Sequence, residues 1–152
     1  MTVKSTDYAL LARQLDALLT DETDLIANLS NTSALLNENL SNINWVGFYL
    51  IKNEALILGP FQGKPACVHI EIGRGVCGTA VQKNEIQRVA DVHAFPGHIA
   101  CDAASQSEIV IPFHKNGQII GVLDIDAPTT NRFSESDEKG LKSIVDVLEQ
   151  HL

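Results

Sequence analysis

Positive charge is scarce in this chain: 11 Lys and Arg stand against 19 Asp and Glu, a net charge of −8, and no run of cations interrupts the deficit. A phosphate backbone is held by clustered cations, so no nucleic acid is expected as a partner. The same shortage excludes an anionic membrane surface. Long apolar runs are also missing, and none approaches the roughly 20 residues needed to cross a bilayer. The opening Met1-Thr2-Val3-Lys4-Ser5 lacks the apolar core of a secretory signal. The expectation is a cytoplasmic protein with no membrane attachment. Cysteine is sparse and odd in number, 3 in all; in a reducing compartment that argues against a structural disulfide framework. Packing, metal ligation and redox chemistry remain as its roles.

What is present has the balance of a folded globule, 45% hydrophobic and 20% charged over 152 residues, which suits one domain and argues against disorder. Helical periodicity fills about residues 6–40. Tyr8, Leu11, Leu15 and either Leu18 or Leu19 share a face. After a break at Thr20, the acidic Asp21, Glu22 and Asp24 suit the first turn of a second helix, lined by Leu25, Leu29, Leu36 and Leu40. The sheet and its loops are expected over about 44–127. Residues 45–51 read as a strand that Lys52-Asn53-Glu54 turns into a partner at 55–58, ended by Gly59-Pro60. Residues 60–106 read as largely irregular, with a short helix near 76–83, and hold all three cysteines with His69, His93 and His98. A second hairpin joins 108–111 to 119–126 through Lys115-Asn116-Gly117. Ser134-Glu135-Ser136-Asp137 is close to a capping box and opens a helix over 134–152 that buries Leu141, Ile144, Val145, Leu148 and Leu152. Residues 1–152 thus form a single α/β (α+β) domain, a central antiparallel sheet flanked by helices. Alternating βαβ units are absent, so a doubly wound parallel sheet is not expected.

Three patterns could carry chemistry. Gly73-Arg74-Gly75-Val76-Cys77-Gly78 matches G-x-G-x-x-G, with Asp91 near the acidic spacing of a dinucleotide site. Only 68–72 could supply the preceding strand and no βαβ context follows, so the glycines read as a tight turn into a helix and no cofactor is expected. Cys67, His69, His93, His98 and Cys101 could compose a zinc site, but their spacing lacks the paired ligands such sites use, and no metal is expected. The third pattern is acidic. If Lys115-Asn116-Gly117 is a three-residue loop, His114 pairs with Gln118 and Glu108 faces Asp124, with Asp126 on the same face. A two-residue Asn-Gly loop shifts the register by one and sends Glu108 to the opposite face. Carboxylates crowded on one face would repel, keeping a proton on at least one of them as a general acid, while the remaining charge suits an ammonium. Among the cysteines, Cys77 sits at a predicted helix start, where a thiolate is favoured. Cys101 lies in a Gly- and Pro-bearing segment able to approach a second thiol.

These segments together resemble a known family. Asn44-Trp45-Val46-Gly47-Phe48-Tyr49, Gly59-Pro60-Phe61-Gln62-Gly63, Gly75-Val76-Cys77-Gly78, Phe95-Pro96-Gly97-His98-Ile99-Ala100-Cys101-Asp102, Ser107-Glu108-Ile109-Val110 and Gly121-Val122-Leu123-Asp124-Ile125-Asp126 are similar to the GAF-fold free methionine-(R)-sulfoxide reductases over nearly the whole chain. The resemblance implies a GAF-like domain and a thioredoxin-dependent reductase of free methionine sulfoxide, a repair activity under oxidative stress. It makes Cys101 the nucleophile, Cys67 the resolving thiol and Cys77 an auxiliary acceptor of the disulfide. Glu108, Asp124 and Asp126 would line the substrate pocket, with Trp45 and Tyr49 as its apolar wall. Backbone N–H groups of the Gly-rich segment would hold the substrate carboxylate. The family also implies a homodimer through the terminal helices. A non-catalytic GAF module that senses a small ligand is the rival reading, since the fold serves both roles.

Overall fold

The structure, a computed structural model, describes residues 4–99 and 101–152; the expectations that touch residues 1–3 and Ala100 lie outside the described residues. The terminal helices form where the periodicity placed them. Asp7 caps α1 (Tyr8–Leu19) by accepting the Leu10 N–H at 3.0 Å. Leu11, Leu15 and Leu19 are buried while Leu18 stays exposed, so the face runs through Leu19. Asp24 caps α2 (Leu25–Asn39), accepting from Ala27 N–H at 2.8 Å. Asp21 and Glu22 lie before that helix, not in its first turn. Glu22 instead accepts the N–H groups of Thr23 and Asp24.

Strands β1 (Trp45–Lys52), β2 (Ala55–Gly63), β3 (His69–Glu71), β4 (Gln87–Val89), β5 (Ser107–Lys115) and β6 (Gln118–Ala127) make a six-stranded sheet ordered β3-β2-β1-β6-β5-β4. Every neighbouring pair is antiparallel, the sheet expected from the two hairpins. Helix α3 (Gly75–Lys83) follows β3, and α4 (Glu135–Glu149) closes the chain behind the Ser134–Asp137 capping box. Strand alternation divides the side chains between two layers. Phe48, Ile109, Ile111, Phe113, Leu123 and Ile125 pack on α1, α2 and α4. Trp45, Tyr49, Val110 and Val122 face the other way and meet Val76, Cys77 and Ala80 of α3. The candidate chemistry sits on that second, thinner layer.

Two irregularities correct the sequence-based register. Strand β2 does not end at Gly59-Pro60 but continues to Gly63, because the β1–β2 ladder is interrupted between Gly47 and Tyr49. Pro60 falls in that interruption, where a missing N–H costs the ladder nothing. At the second hairpin the turn is two residues, Asn116 and Gly117 at φ 53° and 76°, pairing Lys115 with Gln118. That turn alone would turn Glu108 away from the aspartates. A shift between Phe113 and His114 leaves Ile120 without a partner on β5 and restores the face, so Glu108 pairs with Asp126 rather than Asp124, and Asp124 pairs with Val110. The acidic face forms as expected, by a different register.

The α1–α4 packing is close at one point. A Cβ on Gly140 would overlap the Tyr8 ring, whose hydroxyl donates to Asp137 Oδ1 at 2.7 Å. Alanine gains about 1 kcal/mol of helix propensity over glycine, but overpacking a filled site costs about 1–3 kcal/mol. Gly140→Ala is therefore expected to lower stability by about 1 kcal/mol, read as a lower urea midpoint. An unchanged or higher midpoint would show that Tyr8 yields freely.

Candidate active site

The site is built on β1, β5 and β6 and covered by α3 and two cysteine-bearing loops. Glu108 and Asp124 are 8% and 5% exposed, and with Asp126 they line one pocket. Tyr49, Val76 and Ile99 add apolar walls beside these polar groups, the mixture that a small-ligand site uses. Burial is the main reason all three carboxyls are raised above their ordinary values. Repulsion from Asp124 and Asp126, and polar contact with both, push Glu108 further, well above the usual range. For Asp124 the contacts with Glu108, Cys77 and Asp126 work against burial, so it is the readiest of the three to carry negative charge. Among the described residues, Asp124 Oδ1 is buried without a hydrogen-bond partner. A buried lone carboxylate oxygen is costly and suits a cationic donor.

Cys67 and Cys101 are joined by a disulfide across 34 residues, with their Cα atoms 5.5 Å apart. Of the two, Cys101 is among the residues that line the pocket and Cys67 is not. Cys77 lies in the first turn of α3 but remains a free thiol, 5% exposed, with Sγ 3.9 Å from Glu108 Oε2. The expectation of a thiolate there is overturned. Burial, and then the charges of Asp124 and Glu108, push the thiol well up and outweigh the helix terminus.

Trp45 and Tyr49 form an apolar wall. Trp45 stacks on Phe61 at 5.1 Å and on Tyr49 at 6.0 Å. Their polar tips reach the loop that bears Cys67. Trp45 Nε1–H donates to Lys64 O at 3.1 Å, and the Tyr49 hydroxyl donates to Cys67 O at 2.9 Å. The Cys101 loop is tied through its neighbour Asp102, whose Oδ2 accepts from Asn44 Nδ2 at 3.0 Å; the same amide donates to Ser105 Oγ at 3.1 Å. Arg74, Asp102 and Ser105 also line the pocket and were not singled out from the sequence; His98, weighed there only as a zinc ligand, lines it too. Adjacency to Cys101 was the only signal for Asp102. Arg74 had none beyond its place in the glycine motif.

The other patterns resolve differently. Gly73 and Gly75, at φ 91° and 65°, turn the chain from β3 into α3, and β3 runs antiparallel to β2, so no βαβ unit forms. His69 is exposed on β3, and His93 engages Asp91 at 3.0 Å. Among the described residues, the metal-capable side chains whose donor atoms gather within 4.8 Å are Cys77, Glu108 and Asp124, not the loop histidines.

An antiparallel sheet with the terminal helices on one face, and a pocket under α3 and two loops on the other, defines the class: residues 14–152 match the GAF domain. The free methionine-R-sulfoxide reductase of Escherichia coli K12 is 58% identical, over 98% of this chain and 90% of its own. The fRMsr of Staphylococcus aureus, solved in complex with substrate, is 60% identical with a TM-score of 0.96, covering 100% of this chain and 99% of its own. The free methionine-R-sulfoxide reductase of Neisseria meningitidis, also solved with its substrate, is 42% identical with a TM-score of 0.91, over 99% and 93%. The chain belongs to the GAF-fold free methionine-R-sulfoxide reductase family, the one its sequence segments resemble.

Proposed function

We propose that this protein reduces free methionine-(R)-sulfoxide to methionine, with Cys101 as nucleophile, Cys67 as resolving thiol and thioredoxin as the reductant. One observation carries the reading: Cys101, bonded to Cys67, lines the same pocket as Glu108, Asp124, Asp126, Trp45 and Tyr49. A ligand-sensing module has no need of a disulfide-bonded cysteine lining its pocket.

In this reading the Cys101 thiolate attacks the sulfoxide sulfur while a carboxylic acid protonates the oxygen. Glu108 suits that acid, since burial and the neighbouring Asp124 and Asp126 keep its proton in place. Methionine leaves as the hydroxyl passes to the cysteine sulfur, giving a sulfenic acid. Cys67 displaces that hydroxyl as water and closes the disulfide, which protects Cys101 from over-oxidation. Two electrons have then passed from two thiols to the sulfoxide, and the dithiol of thioredoxin restores them by exchange. Asp124, with its unpartnered oxygen, and Asp126 receive the substrate ammonium. Arg74 and the N-terminus of α3, which no side chain caps, suit the carboxylate. Trp45 and Tyr49 pack on the methyl and thioether. Cys77 is left as the auxiliary thiol, and the protonated state its surroundings impose makes it a slow partner in exchange. The reading includes a cytoplasmic homodimer joined through the terminal helices, where Leu10 and Leu18 of α1 and Ile26 of α2 are exposed.

The test supplies free R and S sulfoxides and a terminally blocked peptide, with thioredoxin, its reductase and NADPH. NADPH should be consumed with the free R epimer alone; equal activity on the blocked peptide rules out a pocket that grips both termini. Cys67→Ser should reduce about one equivalent of sulfoxide per site and then stop, read by quantifying methionine. Sustained turnover in that variant would assign resolution elsewhere.

A further inference from the structure

The loop that presents Cys67 belongs to no helix or strand, so its place is set by the bonds it makes to the sheet. Three carbonyls in it accept from sheet residues: Lys64 O from Trp45 Nε1–H at 3.1 Å, Cys67 O from the Tyr49 hydroxyl at 2.9 Å, and Val68 O from Leu58 N–H at 2.9 Å. Only the Tyr49 bond falls on the cysteine itself. Tyr49 is 2% exposed and stacked against Trp45, so its hydroxyl has a fixed origin on β1. Its pairing with Val122 of β6 places it one strand from Asp124 and Asp126.

The geometry points to Tyr49 as a positioning residue that holds the Cys67 backbone where its sulfur can close on Cys101. This rests on the proposed reductase cycle and goes beyond the wall role given to the ring. A disulfide forms only over a narrow range of Cα separation and Cβ direction, and a thiol kept in that range acts at a high effective concentration. Burial keeps the phenol protonated, so the bond persists through the working pH range.

The test compares Tyr49→Phe, which keeps the ring and removes the donor, with Trp45→Phe, which removes the neighbouring bond to Lys64. The first measurement equilibrates each reduced protein with glutathione and glutathione disulfide, and needs no turnover. The protein dithiol passes two electrons and two protons to glutathione disulfide, yielding two glutathiones and the Cys67–Cys101 bond. Tyr49→Phe should shift this equilibrium about fivefold toward the dithiol, the effect of one lost hydrogen bond. Trp45→Phe should shift it less than about twofold, whereas a general loosening of the wall would move both alike. The second measurement traps the Cys101 sulfenic acid with a diketone after one equivalent of sulfoxide. Its lifetime, whatever the rate of its formation, should lengthen about fivefold in Tyr49→Phe. A native equilibrium and a native lifetime in Tyr49→Phe would overturn the assignment. If Cys67→Ser accumulates no sulfenic acid, the reductase mechanism fails instead, and the glutathione equilibrium still decides the role of Tyr49.

Discussion

Cys101→Ser is expected to lose at least about a thousandfold in thioredoxin-coupled turnover, down to the background of the assay. A serine hydroxyl ionises far above neutral pH and attacks sulfur poorly, and it offers no sulfur to carry the oxygen or bond to Cys67. The residue lies in a partly exposed loop, and serine nearly matches it in size, so the reduced protein should fold as before. The oxidised native protein holds a link across 34 residues, which by loop-closure arguments stabilises by about 3–4 kcal/mol. The fair stability comparison is therefore with reduced native protein. NADPH oxidation with the free R sulfoxide checks the prediction, and a variant that still cycles would remove Cys101 from the nucleophile's place.

Glu108→Gln should cut the rate of sulfoxide reduction by about 10²–10⁴-fold, the usual contribution of a positioned acid, measured in a single turnover of the reduced enzyme. The native rate should fall at alkaline pH as Glu108 gives up its proton, and the variant should lack that limb. Its stability should move the other way. Glu108 ionises near pH 4.3 when the chain is unfolded, but burial and the neighbouring aspartates hold its proton to much higher pH in the folded protein. The folded state thus binds more protons than the unfolded one above about pH 4, and stability falls as pH rises toward the folded value. Glutamine carries no such penalty, so the variant should gain about 0.5–2 kcal/mol at neutral pH. Urea midpoints at pH 5 and pH 8 should fall more for the native protein than for the variant. Equal declines would mean that Glu108 is not the strained group.

Much of this was legible in the sequence because period 2 is robust. Glu108, Asp124 and Asp126 differ by even steps along their strands, so they share a face for any register displaced by an even number. The three-residue turn read from Lys115-Asn116-Gly117 was incorrect, yet the face survived because a two-residue turn and one unpaired Ile120 together displace the register by two. Pro60 misled for the opposite reason. A proline ends a regular ladder but passes through an interrupted one, and nothing local to Gly59-Pro60 announces the interruption at Gly47–Tyr49. Cys77 was misread because a helix terminus is visible in sequence, while the carboxylates that press on its thiol arrive from strands some 30 to 50 residues on. The pairing of Cys67 with Cys101 could not be reached from spacing, and came only with the family resemblance. Arg74 and the tie between Asn44 and Asp102 had no signal of their own, since both depend on how loops fold back over the sheet.

The unpaired Ile120 has a consequence for how such a chain can vary. It lies near the tip of its hairpin, six residues before the last aspartate of the site, and works as a parity device. Inserting or deleting one residue between Phe113 and Gly121 would rotate Glu108 to the hydrophobic helix side and leave the two aspartates without it. Length changes at this remote tip should therefore be tolerated in twos and eliminated in ones. A hairpin end far along the strand from the carboxylates thereby constrains its own length, and the seven residues between Phe113 and Gly121 can change in number only by steps that keep that number odd.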